Sequence, residues 1–282
     1  MLTADGWKDY KLIDAGGGEK LEDWGGYLLS RPEPQAIWPK SPKAKWDKAN
    51  AVYTHSISGK GAWQYKTNLP EKWEIEYKNL RFYVNASRFK QTGLFPEQAV
   101  NWDWMSSIIK GRNGIEVLNL FAYTGGATVA CAAAGAAVVH VDAAKASVGL
   151  ARENAELSGL AAAPIRYIVD DAFKFVEREK RRGRRYHGII MDPPSYGKGP
   201  GGQLWKIEDS LFELVKSCSD LLSDNALFFL INSYTTGLAP SVLSNIMSIV
   251  IKGGSASASE IGIKAASGVI LPCGAAARWS AL

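Results

Sequence analysis

The chain has 282 residues, 46% of them hydrophobic and 22% charged, with a formal net charge of +5. That composition excludes a disordered chain or a coiled coil, and the length suits one large α/β domain with a smaller appendage. No run nears the roughly 18 apolar residues of a membrane helix, the start lacks a signal-peptide core, and three scattered cysteines encode neither a disulfide framework nor a zinc cluster. The expected setting is therefore a reducing cytoplasm, with no membrane and no metal; the mild positive charge permits an RNA partner without demanding one.

Six of the ten tryptophans (Trp7, Trp24, Trp38, Trp46, Trp63 and Trp73) precede residue 80. They sit in short aromatic and β-branched runs broken by Gly25-Gly26, the proline-rich stretch Arg31 to Pro42, and Ser58 to Gly61. Trp73 to Tyr77 alternates apolar and polar, and Leu80, Phe82 and Val84 share a face two residues later, which reads as a β-hairpin. Residues 1–90 are expected to form a small antiparallel β module. Its tryptophans either fill a small core or offer a surface for stacking nucleobases.

From about residue 95 strands and helices alternate. Pro96 suits a first helical turn, and Val100, Trp102, Met105 and Ile109 follow at helical spacing. Strands are expected at Ile115 to Phe121, Val138 to Val141, Ile165 to Val169, Gly188 to Met191 and Ala226 to Ile231. Helices are expected at Ala144 to Ser158, Ala172 to Arg182, Leu204 to Leu222 and Pro240 to Ile251, with an alanine-rich one after Gly126. Glu260 to Lys264 and Ala277 to Leu282 read as a terminal hairpin around a Gly/Pro loop. Buried strands alternating with helices mean βαβ crossovers and a mostly parallel sheet covered on both faces, here residues 91–282.

In such a sheet the ligand lies beyond the carboxyl ends of the strands, where strand order reverses. The first strand ends in Asn119-Leu-Phe121-Ala-Tyr123-Thr124-Gly125-Gly126, where glycines let backbone approach a ligand and the next helix presents free N–H groups. Asp142 ends the second strand, where a carboxylate can take both hydroxyls of a ribose. A dinucleotide would want G-x-G-x-x-G for its pyrophosphate; the paired glycines here stand alone, which suits a methionine tail better. The third strand ends Asp170-Asp171-Ala172, able to accept an adenine amino group or to cap the following helix. The fourth ends Asp192-Pro193-Pro194-Ser195-Tyr196. Two prolines after a buried strand make a stiff turn with outward carbonyls, able to hold an amino group or a planar base, with Tyr196 beside it to stack.

In this order and spacing the motifs resemble class I S-adenosylmethionine-dependent methyltransferases, and within them bacterial enzymes that methylate bases of 23S ribosomal RNA. The resemblance spans roughly residues 92–282. It implies a Rossmann-like sheet with an antiparallel C-terminal hairpin, S-adenosylmethionine as cofactor and structured RNA, ribosomal RNA above all, as substrate. It also implies a cofactor site of Asn119, Phe121, Tyr123, Thr124, Gly125, Gly126, Asp142, Asp171, Ala172 and Asp192. Gly125 and its neighbours would hold the methionine moiety, Asp142 the ribose and Asp171 the adenine. Gln98 and Asn101 would reach the methionine end; a helix-surface amide is the plainer role for Gln98. Asp192, Pro193, Ser195 and Tyr196 would be catalytic, beside the transferred methyl.

Methylating a carbon such as cytosine C5 needs activation by a cysteine thiolate. Ser195 stands in the fourth-strand motif, and the fifth strand runs into Asn232-Ser-Tyr-Thr-Thr-Gly237 without a thiol. The expectation is a nitrogen or oxygen acceptor, nitrogen preferred, without a cysteine intermediate. A small-molecule or protein acceptor, or a catalytically silent RNA-binding module, are the alternatives. The basic segment Lys174 to Arg185 is either a solvated helix end or a phosphate-contacting patch, and the loop Gly197 to Gly202 is either a lid or plain disorder.

Overall fold

The computed structural model describes residues 1–55, 61–86, 90–198 and 204–281. The chain divides into two compact units. One holds residues 3–100 and 262–273; the other holds residues 1–2, 101–261 and 274–282. The division falls at residue 100 and counts residues 262–273 of the C-terminal hairpin with the first unit.

In chain order the strands of the N-terminal half are β1 (Leu2–Thr3), β2 (Tyr10–Gly16), β3 (Glu19–Trp24), β4 (Tyr27–Pro32), β5 (Ala51–His55), β6 (Gly61–Tyr65), β7 (Trp73–Tyr77) and β8 (Leu80–Val84). Strands β2 to β6 form one five-stranded sheet in sequence order, and β7–β8 is the expected hairpin. One pairing departs from the antiparallel expectation: β4 and β5 run parallel. The connection from Glu33 to Asn50 is long enough to carry the chain back to the same end, which a parallel pair requires. Trp24, Trp63 and Trp73 are buried. The half-buried Trp7, Trp38 and Trp46 donate their indole N–H groups to Pro96 O, Ala15 O and Asp14 Oδ2. Trp24, Trp63 and Trp73 fill a core, and the other three are pinned by their indole N–H groups.

The second unit is the expected α/β body. Helix α1 (Ala99–Ile109) follows a 3-10 turn at Pro96–Gln98. Then come β9 (Glu116–Leu120), α2 (Gly126–Ala133), β10 (Ala137–Asp142), α3 (Lys145–Leu157), β11 (Ile165–Val169), α4 (Ala172–Arg181) and β12 (Gly188–Met191). The chain continues through β13 (Tyr196–Lys198), β14 (Leu204–Lys206), α5 (Ile207–Ser219), β15 (Phe228–Ser233), α6 (Pro240–Val250), β16 (Ser255–Lys264) and β17 (Ile270–Ser280). The sheet order is β1-β16-β17-β15-β12-β9-β10-β11. The five strands from β15 to β11 are parallel, and β17 is antiparallel to β15. From β9 the chain builds outward through β10 and β11, then returns to add β12 on the other side. The reversal lies between β9 and β12.

Period-two alternation sorts the two faces of these strands. Leu118, Leu120, Val139, Val141, Ile189, Met191, Phe229 and Ile231 pack with Phe175, Leu214 and Leu243 of α4, α5 and α6. On the opposite face Asn119 and His140 meet Thr128 of α2.

Two stretches of the chain differ from the sequence reading. The helix expected from Leu204 starts only at Ile207, because Leu204–Lys206 alternates and pairs with Tyr196–Lys198 as a hairpin. The terminal strands are also longer than expected, so that Pro272 and Gly274 lie within β17 rather than in a loop. Pairing with β15 begins only at Ala275, past the proline whose missing N–H would break a ladder. A Cβ on Gly274 would meet Ser233 O at 2.6 Å, so only glycine fits there.

Candidate functional site

The β9 tip is a strained turn braced from three sides. Phe121 and Tyr123 both take left-handed backbone angles, φ 53° and 50°, costly for bulky side chains and typical of places where function dictates geometry. Asp142 at the β10 tip holds the turn: Tyr123 N donates to its Oδ2 at 2.8 Å, and Ala144 N to its Oδ1 at 2.8 Å. Asn154, buried on α3, donates to Thr124 O at 2.8 Å. Gly125 precedes α2 at φ 86°, and that helix has no side-chain cap, which leaves its first N–H groups without a side-chain acceptor from the cap.

The glycine pair also has a packing reason. A Cβ on Gly125 would lie 2.8 Å from Ala151 Cβ, and one on Gly126 would lie 2.6 Å from the Trp102 ring. The turn is clamped between α1 and α3.

Beneath it runs a buried polar chain. Asn119 Nδ2 donates to Thr128 Oγ1 at 2.9 Å, and Thr128 Oγ1 lies 2.9 Å from His140 Nδ1. Burial drives the His140 pKa down from its ordinary 6.5 to about 4, with a backbone contact to Tyr123 opposing in smaller measure. The imidazole is therefore neutral at physiological pH.

The neighbouring tip is joined to this one directly. Asp192 N donates to Leu120 O at 3.4 Å, which sets the Asp192-Pro-Pro-Ser turn beside the Phe121-to-Gly126 turn at the point of strand reversal. Trp205 of β14 donates its indole N–H to Pro194 O at 2.5 Å. Its ring stands 5.4 Å from Phe121 and 6.0 Å from Phe173. Of the carbonyls expected to face outward, that of Pro194 is thus occupied. The Ser195 hydroxyl is shared with Thr235 Oγ1 at 2.7 Å, and Ser195 O accepts from Ile207 N at 3.1 Å. Tyr196 is 59% exposed, open to a stacking partner.

The family model for S-adenosylmethionine-dependent methyltransferases matches residues 43–238. The chain belongs to that family. A crystal structure of the SAM-dependent methyltransferase from Agrobacterium tumefaciens is 37% identical, with a TM-score of 0.94 over 100% of this chain and 93% of that one. A SAM-dependent methyltransferase from Streptococcus mutans shares the fold at 19% identity, with a TM-score of 0.77 over 98% of this chain and 76% of that one. Ribosomal RNA large subunit methyltransferase K/L of Shewanella frigidimarina is 32% identical over 59% of this chain and 23% of its own length. Ribosomal RNA large subunit methyltransferase I of Aeromonas salmonicida is 31% identical over 44% of this chain and 31% of its own length. The chain therefore spans under a third of each of these two relatives.

The residues of this methyltransferase fit S-adenosylmethionine on structural grounds. The glycine turn with its uncapped helix start suits a carboxylate. Each Asp142 oxygen accepts one backbone N–H and keeps a lone pair for a ribose hydroxyl. Asp171 caps α4 through Oδ1, accepting from Lys174 N at 3.0 Å, so the capping role weighed from sequence is real and leaves its second oxygen for an adenine amine. Ala172 opens α4 and is buried. Gln98 lies buried at the 3-10 turn of the first unit. Asn101 donates to Asn232 Oδ1 at 3.0 Å and accepts from Arg278 Nη2 at 2.6 Å.

Sequence reasoning missed Trp205, Asn154 and Trp102 as site residues. Asn154 carried a signal: a polar residue on the apolar stripe of Val148, Ala151 and Ala155. Trp205 was hidden by its expected place in a helix. Four of the seven basic residues of Lys174 to Arg185 pair with acids: Arg178 with Asp170, Lys180 with Asp220, Arg182 with Glu179, and Arg184 with Glu116. In the glycine-rich loop Gly197 to Gly202, residues 199–202 lie outside the described residues. Among the described residues no His/Cys/Asp/Glu group is arranged to hold a metal, and no helix is long and apolar enough to cross a membrane.

Proposed function

We propose that this methyltransferase transfers a methyl group to a nitrogen of a base in structured RNA, ribosomal RNA above all, without a covalent cysteine intermediate. The observation that carries the reading is the junction of the Asp192-Pro-Pro turn with the strained β9 tip through Asp192 N and Leu120 O. S-adenosylmethionine, when bound, supplies a methyl group on a sulfonium. The protein's task is then alignment, worth on the order of 7 to 11 kcal/mol. The Asp192 carboxylate and the Pro193 carbonyl accept the N–H bonds of the acceptor amine, which leaves its lone pair free to take the methyl group, and the proton the nitrogen then loses passes by way of the carboxylate to water. The exposed ring of Tyr196 stacks on the base. Trp205 and Thr235 hold the turn in place.

Cysteine chemistry has no support in the geometry. Cys131 lies buried in α2, where burial pushes its thiol up to about 12. Cys218 in α5 is raised by burial too, as is Cys273 in the first unit. The reactive form is the thiolate, and none of the three ends a parallel strand. The ribosomal RNA relatives favour an RNA acceptor.

The test is nucleoside mass spectrometry of ribosomal RNA from cells lacking the gene, with the mark restored by purified enzyme. A missing N-methyl base supports the reading. Unchanged RNA, or a stable cysteine adduct with 5-fluorocytosine RNA, overturns it.

A further inference from the structure

Between β4 and β5 the chain runs eighteen residues, Glu33 to Asn50, whose one regular element is the 3-10 turn Trp46–Lys48. Connections this long without their own secondary structure are uncommon unless they carry function or are disordered. This one is held down along its length. Gly17 N donates to Trp38 O at 2.6 Å, Gly18 N to Ala36 O at 2.8 Å, and Trp38 Nε1 to Ala15 O at 2.6 Å. The buried carboxylate of Asp14 accepts from both Ser41 N, at 2.8 Å, and Trp46 Nε1, at 2.9 Å. A Cβ on Gly16 would strike Pro39 O at 2.6 Å, so the loop lies flush on the sheet.

What the anchored loop displays is positive charge. Lys43, Lys45 and Lys48 are exposed, and Lys40 lies over the Trp46 ring at 4.0 Å while pairing with Glu19. Lys66, just past β6, brings its Nζ to 3.4 Å from Asp47 O, adding a cation from a distant part of the sequence. Asp47 is the one acid within the 3-10 turn, 3.8 Å from Lys48.

We propose that this loop docks the phosphate backbone of RNA. The proposal rests on the RNA-acceptor reading above and names the surface that serves it. Ammonium groups on a pre-ordered loop meet phosphates without reading bases, so they supply position and affinity rather than sequence choice. A lipid surface fits less well, because insertion wants apolar side chains. Ile37 is the large hydrophobic residue strongly exposed on the loop, and both tryptophans are tied down by their N–H groups.

The experiment uses the full chain and a fluorescein-labelled RNA hairpin of mixed sequence, read by anisotropy at 50 and 200 mM salt, with Lys43→Glu/Lys45→Glu/Lys48→Glu beside the wild type. The expected result is at least tenfold weaker RNA binding and a salt slope shallower by about 2 to 3, given close to one unit per phosphate contact. Calorimetry with S-adenosylhomocysteine should stay unchanged. If that calorimetry shows a folding defect, the lysine-to-glutamine triple variant takes its place and should weaken RNA binding in the same direction. Equal RNA binding by wild type and variant overturns the docking surface and leaves the RNA-acceptor reading standing. A wild type that neither binds nor methylates RNA overturns that reading itself. Lysine-dependent sedimentation with phosphatidylserine vesicles, without RNA binding, assigns the loop to lipid and overturns the proposal.

Discussion

The indole N–H of Trp205 closes on the carbonyl oxygen of Pro194 at 2.5 Å, tying a short hairpin to the turn that ends β12. Trp205→Phe keeps an aromatic ring against Phe121 and Phe173 but removes the donor. A hydrogen bond of this kind contributes about 0.5 to 1.5 kcal/mol. Methyl transfer should slow by up to about tenfold, while S-adenosylhomocysteine affinity stays within about threefold. Single-turnover labelling and calorimetry together check this; equal losses in both would point to general unfolding of the site.

Ser195 is expected to act as a tie between strand tips and not as a proton carrier. Its hydroxyl is engaged by Thr235 at 2.7 Å. Ser195→Ala should lower activity less than about tenfold, as Thr235→Val should, with similar small losses of stability. A general acid–base residue would cost on the order of 10² to 10⁴, so the measured rate separates the two roles.

Gly126→Ala places a methyl 2.6 Å from the Trp102 ring. Overpacking of this kind costs about 1 to 3 kcal/mol, visible as a lower Tm. Trp102→Phe removes the atoms that are struck, so the double variant should recover part of the loss. Gly125→Ala should recover nothing from that change, since its φ of 86° adds backbone strain and its neighbour is Ala151. A double-mutant cycle in denaturant measures the coupling.

His140 should make the protein acid-sensitive in a defined window. Unfolded, an imidazole titrates near 6.5; in its buried site this one stays neutral down to about 4. Between those values the unfolded chain takes up a proton that the native chain refuses. Stability is therefore lost as pH falls from about 6.5 to about 4, by about 3 kcal/mol for this residue, and the loss then levels off. Denaturant titrations at pH 7, 5 and 4 should show a shallower pH slope for His140→Gln than for the wild type.

Much of this was readable in advance. Ile165–Val169 and Gly188–Met191 match the expected strands residue for residue, because each is a short run rich in β-branched and aromatic or apolar residues bounded by polar or turn-forming ones. The tips were legible for the same reason: Gly125, Asp142, Asp171 and Asp192 each follow such a run. What sequence could not reveal depends on distant partners. Leu204–Lys206 becomes a strand only because Tyr196–Lys198 lies opposite. The parallel pairing of β4 with β5 depends on where a long loop returns. The hydrogen bonds that engage Asn119 and Ser195 come from residues 9 and 40 positions away, which no local pattern encodes.

The last hairpin has a practical meaning for anyone dissecting the molecule. Strands β16 and β17 begin and end in one unit, while residues 262–273 at their far end are counted with the other. Neither half is therefore an uninterrupted stretch of polypeptide. A gene cut near codon 100 would deprive the amino-terminal piece of the segment whose Ala266 N donates to Leu12 O at 2.8 Å. Truncating the carboxyl terminus to shorten the second unit would injure the upstream fragment as well.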